Sequence, residues 1–461
     1  MLGPWSSAQT VAVTASVVLG AWSGRVVVAT MVAAVVAVLW HRPDIGLACL
    51  LLAGSGAVLA GRSWHAAQPR HLGPYDGWVS LASDPETRGA AVHVVVEIEG
   101  ERFDAWIYGA KRRRFDALLA GDRMWVQAER RQLSAQHRRR AQVRHVVGRV
   151  ELEVVADRAP TTALARSANA VRRSLRRAAE QAMPREDAAL FTGLVVGDDA
   201  RQSPETVAAF RAAGMSHLTA VSGQNVAFVL AACSPLLRRL RPLARWSLTL
   251  AVIAWFAALT RFEPSVLRAS VMAAASSWAF VTGRERAPLR VLCLAVVTVV
   301  LVDPMLVWSV ALWLSVGATA GVVVVGPRLE RCLRAPRWLA APLAVTLGAQ
   351  AGVALPSLLV FGRLPLVSVP ANLLAVPAAG FVMLSGLPAA LLAAHLPSPV
   401  ADLVLMPSRV ATRWVSVVAQ LGSRLEPARP WGVAGWAVVV AAVVAAAGRR
   451  RQRADVPAVP I

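Results

Sequence analysis

The chain has 461 residues and a formal net charge of +22, with 56% hydrophobic and only 16% charged residues. Ordinary soluble domains carry about a quarter charged residues, so this balance excludes a large soluble globular protein. Apolar runs near the length of a bilayer span recur along the sequence, which reads as a polytopic α-helical membrane protein. The charge is arginine's, Lys111 being the sole lysine, and much of it lies in loops beside apolar runs, where basic residues are retained in the cytoplasm. Cys49, Cys233, Cys293 and Cys332 lie in or beside predicted spans without CxxC spacing and imply no metal site or disulfide framework.

Residues 1–64 hold apolar runs at 9–23, 26–40 and 45–61, read as N-terminal transmembrane helices. The first ten residues lack the positive n-region of a cleaved signal, so the first run is expected to be retained. Arg42, between the second and third runs, suits a cytoplasmic N-terminus. Residues 65–160 then face outward and change character. Short β-rich segments occupy 93–98, 103–108 and 124–128, with Phe103, Ala105 and Ile107 alternating against Asp104, Trp106 and Tyr108. Glu99-Gly100 and Gly121-Asp122 supply turns, and about five strands fit, which suits a small OB-like barrel. Its basic residues bunch as Lys111, Arg112, Arg113 and Arg114, then Arg130 and Arg131, then Arg138, Arg139 and Arg140. A translocated domain needs no positive-inside charge. With Trp106, Tyr108 and Trp125 these cations could track a phosphate backbone and stack bases. A solvated basic face, or one resting on anionic lipid headgroups, fits the composition equally well.

Residues 161–187 form a basic amphipathic helix and linker. Arg172 with Arg176, and Arg173 with Arg177, put like charges on one face, which costs stability unless an anionic surface lies opposite. Membrane lipid is the expected partner, with DNA second. Apolar runs resume through 188–450, ahead of a cytoplasmic tail at 451–461. Arginines cluster in alternate loops, at 238–245, 284–290, 328–337 and 449–451; placing all of them in the cytoplasm gives about twelve spans with both termini inside.

The stretch 191–229 is rich in small and hydrogen-bonding residues where a span should begin. Ser203-Pro204-Glu205 is a good helix start. Polar groups at membrane depth face a wet cavity or a bundle interior, or serve as helix–helix contacts. Both readings stand for Ser222 and its small neighbours, while Gln224 and Asn225 together favour a cavity.

At these residues the chain resembles the ComEC family of competence proteins. The family block GLxxGD … FxxxGxSHLxAxSGxxV is matched from Gly193 to Val226, a PSxxRAxxM helix at Pro264-Ser265-Val266-Leu267-Arg268-Ala269, and DP … S … LS from Asp303 to Ser315. Gln350 to Pro356, and Pro370-Ala371-Asn372-Leu373-Leu374-Ala375-Val376-Pro377, resemble later blocks. The resemblance implies an inner-membrane channel that imports single-stranded DNA during natural transformation. It makes His217, Ser222, Gly223, Gln224, Asn225, Arg268, Asp303, Gln350 and Asn372 candidates for the pathway, with Arg268 facing phosphate or an acid such as Asp303. It also implies an envelope DNA receptor and a cytosolic DNA motor or strand-binding proteins as partners; the sequence leaves open whether one copy of the chain forms the pore or a homodimer does.

Two departures stand out. Ser222-Gly223-Gln224-Asn225 replaces the Ser-Gly-Leu-His of many relatives, and no HxHxDH cluster occurs, so the form without the metallo-β-lactamase-like domain is expected. No Walker A, HExxH or GxSxG motif is present, so no enzyme, metal or cofactor is expected and the driving force must come from elsewhere. The rival is a secondary transporter of a small anionic solute or lipid, with helices broken at Pro356, Pro365, Pro370 and Pro377. A scaffold whose basic domain binds lipid or protein is a second rival.

Overall fold

The computed structural model describes residues 5–441 except 116–117, 160, 220–222, 284–286, 334, 429–430, 433 and 440, with the backbone alone at 154–158. The N-terminal apolar runs form α1 (Ser7–Ser23), α2 (Val26–Trp40) and α3 (Pro43–Ala66). α1 opens on a capping box in which the Ser6 hydroxyl accepts from Gln9 N–H at 3.2 Å and the Gln9 side chain accepts from Ser6 N–H at 2.8 Å. α1 lies directly on α3: the Trp5 indole donates to Asp44, and a Cβ on Gly20 would sit 2.4 Å from the Ala53 carbonyl oxygen.

The β-rich insert is a small barrel. Its strands are β1 (Gly73–Leu81), β2 (Glu86–Arg88), β3 (Ala91–Ile98), β4 (Glu101–Tyr108), β5 (Arg123–Gln132) and β6 (Val146–Ala159). The order is β1-β5-β6-β4-β3, and β1 pairs with β3 to close the circle; the short β2 adds to β3 from outside. Every pairing is antiparallel except β4 with β6. The alternation in β4 is realised, with Phe103, Ala105 and Ile107 buried among Val94, Val96, Met124 and Val126, while Asp104, Trp106 and Tyr108 face out. A 3₁₀ turn at Gly109–Arg114 follows β4, and α4 (Ala135–Gln142) joins β5 to β6.

The remaining helices are α5 (Ala163–Ala182), α6 (Arg185–Val196), α7 (Pro204–Ala212), α8 (Ser216–Thr219), α9 (Gly223–Leu237), α10 (Pro242–Leu259), α11 (Pro264–Val281), α12 (Pro288–Val302), α13 (Val310–Val324), α14 (Gly326–Cys332), α15 (Arg337–Phe361), α16 (Ser368–Ala393) and α17 (Ser398–Leu425). The Ser203 cap on α7 is present, accepting from Thr206 N–H with Pro204 in the first turn. α6 stops at Gly197, whose φ of +68° suits a left-handed cap. The main core joins α5, α6, α7, α16 and α17 to α9, α10 and α11 through Leu175, Phe191, Phe210, Val382 and Leu405 on one side and Val226, Phe256 and Val266 on the other. α13 and α15 cross closely, since a Cβ on Gly317 or Gly321 would lie 2.4 or 2.0 Å from the carbonyl oxygen of Gly352 or Gly348.

The count of about twelve spans is not supported. Among the described residues, four helices are long and apolar enough to cross a membrane: α3, α10, α15 and α16. A fifth results if α13 and α14, bent by 43°, are taken together. Many of the apolar runs make helices of 15 residues, such as α2, α9 and α12, about 22 Å long against a hydrocarbon core of about 30 Å. The run at 216–235 splits into α8 and α9. The run at 400–421 becomes α17, an amphipathic helix carrying Arg409 and Arg413. α15 and α16 run through Pro356 and Pro377 without a break, and Pro370 sits in the first turn of α16, so the helix breaks on which the transporter rival rested are absent at those positions.

Candidate nucleic-acid interface and membrane pathway

The cations of the barrel do not form one continuous groove. Arg130 pairs with Glu99 at 3.0 Å and lies over the Tyr75 ring at 5.2 Å; Arg131 sits between Glu129 at 3.1 Å and Glu151 at 3.2 Å. β5 and β6 run side by side with Arg131 opposite Arg149 and Glu129 opposite Glu151, so acids and bases alternate across that face. The 3₁₀ turn is different. Lys111 donates to the Leu152 carbonyl at 3.1 Å and Arg112 to that of Ala90 at 3.1 Å, while Arg113 and Arg114 are exposed. Lys111, Arg112 and Arg113 make no ion pair among the described residues, so the turn is an exposed positive edge.

The α4 cations face elsewhere. The Arg139 guanidinium lies 4.6 Å from the ring centre of Trp308, which stacks on Trp22 at 5.5 Å and meets Trp64 at 6.4 Å. Gln142 donates to the Ala67 carbonyl, and His145 pairs with Asp303 at 2.9 Å. Arg138 folds back toward the Leu133 carbonyl, and Arg140 is exposed. α4 is therefore a foot of the barrel on the ends of α1, α3 and α12. Asp303 belongs to this foot, where it also caps the turn after α12 by accepting from Met305 N–H.

The aromatic residues divide as well. Trp106 packs on His93 at 4.8 Å, and His93 is fixed by Asp104 at 3.0 Å. Tyr108, 59% exposed, ends β4 beside the basic turn. Trp125, separated from them by β6, stands opposite Trp78 in the β1–β5 ladder, and Arg123 covers Trp78 at 5.9 Å. Trp78 and Arg123 escaped the sequence reading. The outward alternation of Asp76, Trp78 and Ser80 was the available signal. The adjoining hollow, about 350 Å³, is lined by Trp78 and Arg123 but also by Glu97 and Glu99.

What seats the barrel is a buried ionic lattice with no local sequence signature. Asp84, in the β1–β2 loop, accepts from Arg261 at 2.8 and 3.1 Å, from Arg172 at 2.9 Å and from Ala120 N–H at 2.8 Å. Arg172 also donates to the carbonyls of Leu259 and Val196 and faces Asp198 at 3.5 Å, which pairs with Arg176 at 2.5 Å. Burial alone pushes the Asp84 carboxyl up, and Arg172 and Arg261 more than offset it, holding its pKa at about 2. The anionic surface opposite Arg172 and Arg176 is thus made of Asp84 and Asp198. Arg172 is buried and Arg176 nearly so, and α5 packs on α6, α10, α16 and α17, while Arg173 and Arg177 are exposed.

Within the membrane domain the candidates fall into separate groups. A Cβ on Gly223 would sit 2.9 Å from Nη2 of Arg268, whose Nε donates to Ser315 at 3.0 Å and whose Nη1 faces the Met272 sulfur at 3.0 Å. Arg268 therefore does not meet Asp303. Asn225 is buried and donates to the Leu194 carbonyl at 3.2 Å, while Gln224 and His217 are exposed. Gln350 donates to Ser368 at 2.6 Å; Asn372, one turn further along α16, is buried with its Oδ1 unpartnered among the described residues. Ser222 lies outside the described residues. Ser315 and Ser368 are the additions that the structure makes to the predicted set.

A family model described as Competence protein matches residues 194–452, more than half of the chain. The chain belongs to the competence protein family. The matched region starts at the end of α6 and holds Asn225, Arg268, Gln350 and Asn372, while the barrel lies before it. Among curated proteins, this family member is 33% identical over 227 residues to Competence protein ComA of Neisseria gonorrhoeae, covering 45% of this chain and 30% of that one. It is 28% identical over 228 residues to the uncharacterized protein YcaI of Escherichia coli strain K12, covering 46% and 30%. The match thus spans less than a third of the length of these relatives. No solved structure matches.

Proposed function

We propose that this competence family member conducts single-stranded DNA across the cytoplasmic membrane during natural transformation, with the barrel on the outer face as the intake. One observation carries the proposal: a barrel with an exposed cationic edge, where Lys111, Arg112 and Arg113 make no ion pair among the described residues, is seated through Asp84, Arg172 and Arg261 on the end of the family's membrane domain. Closed strand order with one parallel pair, β4 with β6, fits an OB-type barrel, a fold that binds oligonucleotides through one strand face and its loops. The exposed turn at Lys111, Arg112, Arg113 and Arg114, with Tyr108 beside it, would attract phosphates without regard to sequence. Arg130, Arg131 and Arg139 are left out of this contact, because acids or the membrane domain occupy them.

The strand would then pass the polar groups of the membrane domain, Arg268 first. Both termini would be cytoplasmic, consistent with the arginine-rich ends of α10, α14 and α15. The chain performs no catalytic step in this scheme. A cytosolic motor or strand-binding proteins would pull, an envelope receptor would deliver, and lipid and a second copy would complete the surroundings. The test uses the full chain in nanodiscs and a fluorescent oligothymidylate. Affinity should fall steeply between about 50 and 200 mM salt, and the Lys111→Gln, Arg112→Gln, Arg113→Gln triple variant should bind more weakly with a shallower salt slope. Salt-independent binding, or a triple variant equal to the parent, would remove the intake step.

A further inference from the structure

Among the described residues, two arginines are buried outright, Arg172 and Arg268. A buried guanidinium needs a compensating anion, because stripping its water costs several kcal/mol in effective terms. Arg172 has two, Asp84 at 2.9 Å and Asp198 at 3.5 Å. Arg268, 5% exposed, has none among the described residues: its bonds go to the neutral Ser315 hydroxyl and the Met272 sulfur. Nη2, which carries no hydrogen bond among the described residues, points at the bare backbone of Gly223, where a Cβ would come within 2.9 Å.

The position of Arg268 is as informative as its isolation. The turn between α10 and α11 faces the barrel, since the Leu259 carbonyl accepts from Arg172 and Arg261 grips Asp84. α11 starts at Pro264, so Arg268 lies about 6 Å below that end. Arg261, seven residues earlier, is already neutralised by the Asp84 carboxylate. An anion moving inward from the barrel therefore meets Arg268 as the first buried cation with its charge unspent. We infer that the Arg268 guanidinium, positioned by Ser315 and fitted against the bare backbone of Gly223, is a binding station for a phosphodiester anion just inside the membrane domain. This rests on the conduit proposed above and names the group that would hold the strand's backbone there.

The test is site-resolved labelling of the full chain in zwitterionic nanodiscs with phenylglyoxal, an arginine-selective reagent, read by peptide mass spectrometry. The probes are oligothymidylate, its uncharged methylphosphonate analogue and inorganic phosphate. A charge-assisted contact should let oligothymidylate slow labelling of Arg268 about tenfold or more. The methylphosphonate should not, millimolar phosphate should protect in part, and Arg172 should be unaffected. Gly223→Val should abolish the protection while the protein remains monodisperse. Equal labelling of Arg268 with and without oligothymidylate would overturn the proposal. So would a failure to label at all, since the reagent is smaller than a nucleotide and must reach wherever a phosphodiester can. Protection by anionic lipid without nucleic acid would replace DNA by a headgroup and overturn it as well. Protection by inorganic phosphate in a protein whose cells take up no DNA would keep the anion station and sink the conduit, so the two claims fail separately.

Discussion

Replacing Asp84 by asparagine probes the joint between barrel and membrane domain. The carboxylate is held by two arginines, and its own side chain and that of Arg172 are 12% and 3% exposed. A pKa lowered from 3.8 to about 2 corresponds to about 2 kcal/mol of charge-dependent stability. Removing one partner of a buried pair costs about 3–5 kcal/mol; here Asp198 still faces Arg172, so a loss of about 2–4 kcal/mol is expected. At 1.4 kcal/mol per tenfold, local opening of α5 should rise about 100-fold. Amide hydrogen exchange of α5 in the full chain reads this directly, and Arg261→Gln should produce a smaller effect that does not add to that of Asp84→Asn. The sign with pH follows from the lowered pKa. The stabilisation is fully present above about pH 4 and is lost as pH falls through about 2, so Asp84→Asn should remove part of the acid sensitivity of α5 exchange. Unchanged exchange in Asp84→Asn at neutral pH would refute the role of the lattice.

Trp78→Ala and Trp106→Ala should separate binding from stability. Stacking on an exposed tryptophan is worth about 1–3 kcal/mol per base, so if the strand reaches β1 and β5, Trp78→Ala weakens oligothymidylate binding without unfolding the barrel. Trp106→Ala should instead destabilise the barrel, seen as faster exchange in β3 and β4, because it removes the ring packed on His93. Gly348→Val must push α13 away, since a Cβ there meets the Gly321 carbonyl oxygen at 3.0 Å; an overpacking cost of about 1–3 kcal/mol or more should appear as a lower aggregation temperature in detergent. Glu426→Gln should fray the start of α16, whose Leu366 and Val367 N–H groups it now receives at 3.0 and 2.9 Å, and exchange at those amides reports it.

Local pattern carried the barrel and most helix limits. Alternation in 103–108 set the inside and outside of β4, and Ser203-Pro204 fixed the start of α7, because both signals act within a few residues. The span count failed for the opposite reason. Hydropathy counts apolar residues, but whether α12 or α17 crosses a membrane depends on helix length and on which face packs. The site was legible only as residue types. Lys111, Arg112 and Arg113 make no ion pair among the described residues, whereas Arg131 meets Glu151 across a ladder and Arg172 meets Asp84 across 88 positions. Such pairings are products of topology. The same holds for Asp303, one of the two kinds of partner open to Arg268 in the sequence, which the fold gives to His145.

Strand entry into sealed vesicles tests the central claim most directly. The full chain, reconstituted with a single-strand-binding protein trapped in the lumen, should accumulate labelled oligothymidylate inside and exclude the same sequence as a duplex. Arg268→Gln should abolish that accumulation while surface binding to the barrel persists. Vesicles that bind the oligonucleotide outside, admit small organic anions and never accumulate the strand would contradict the account.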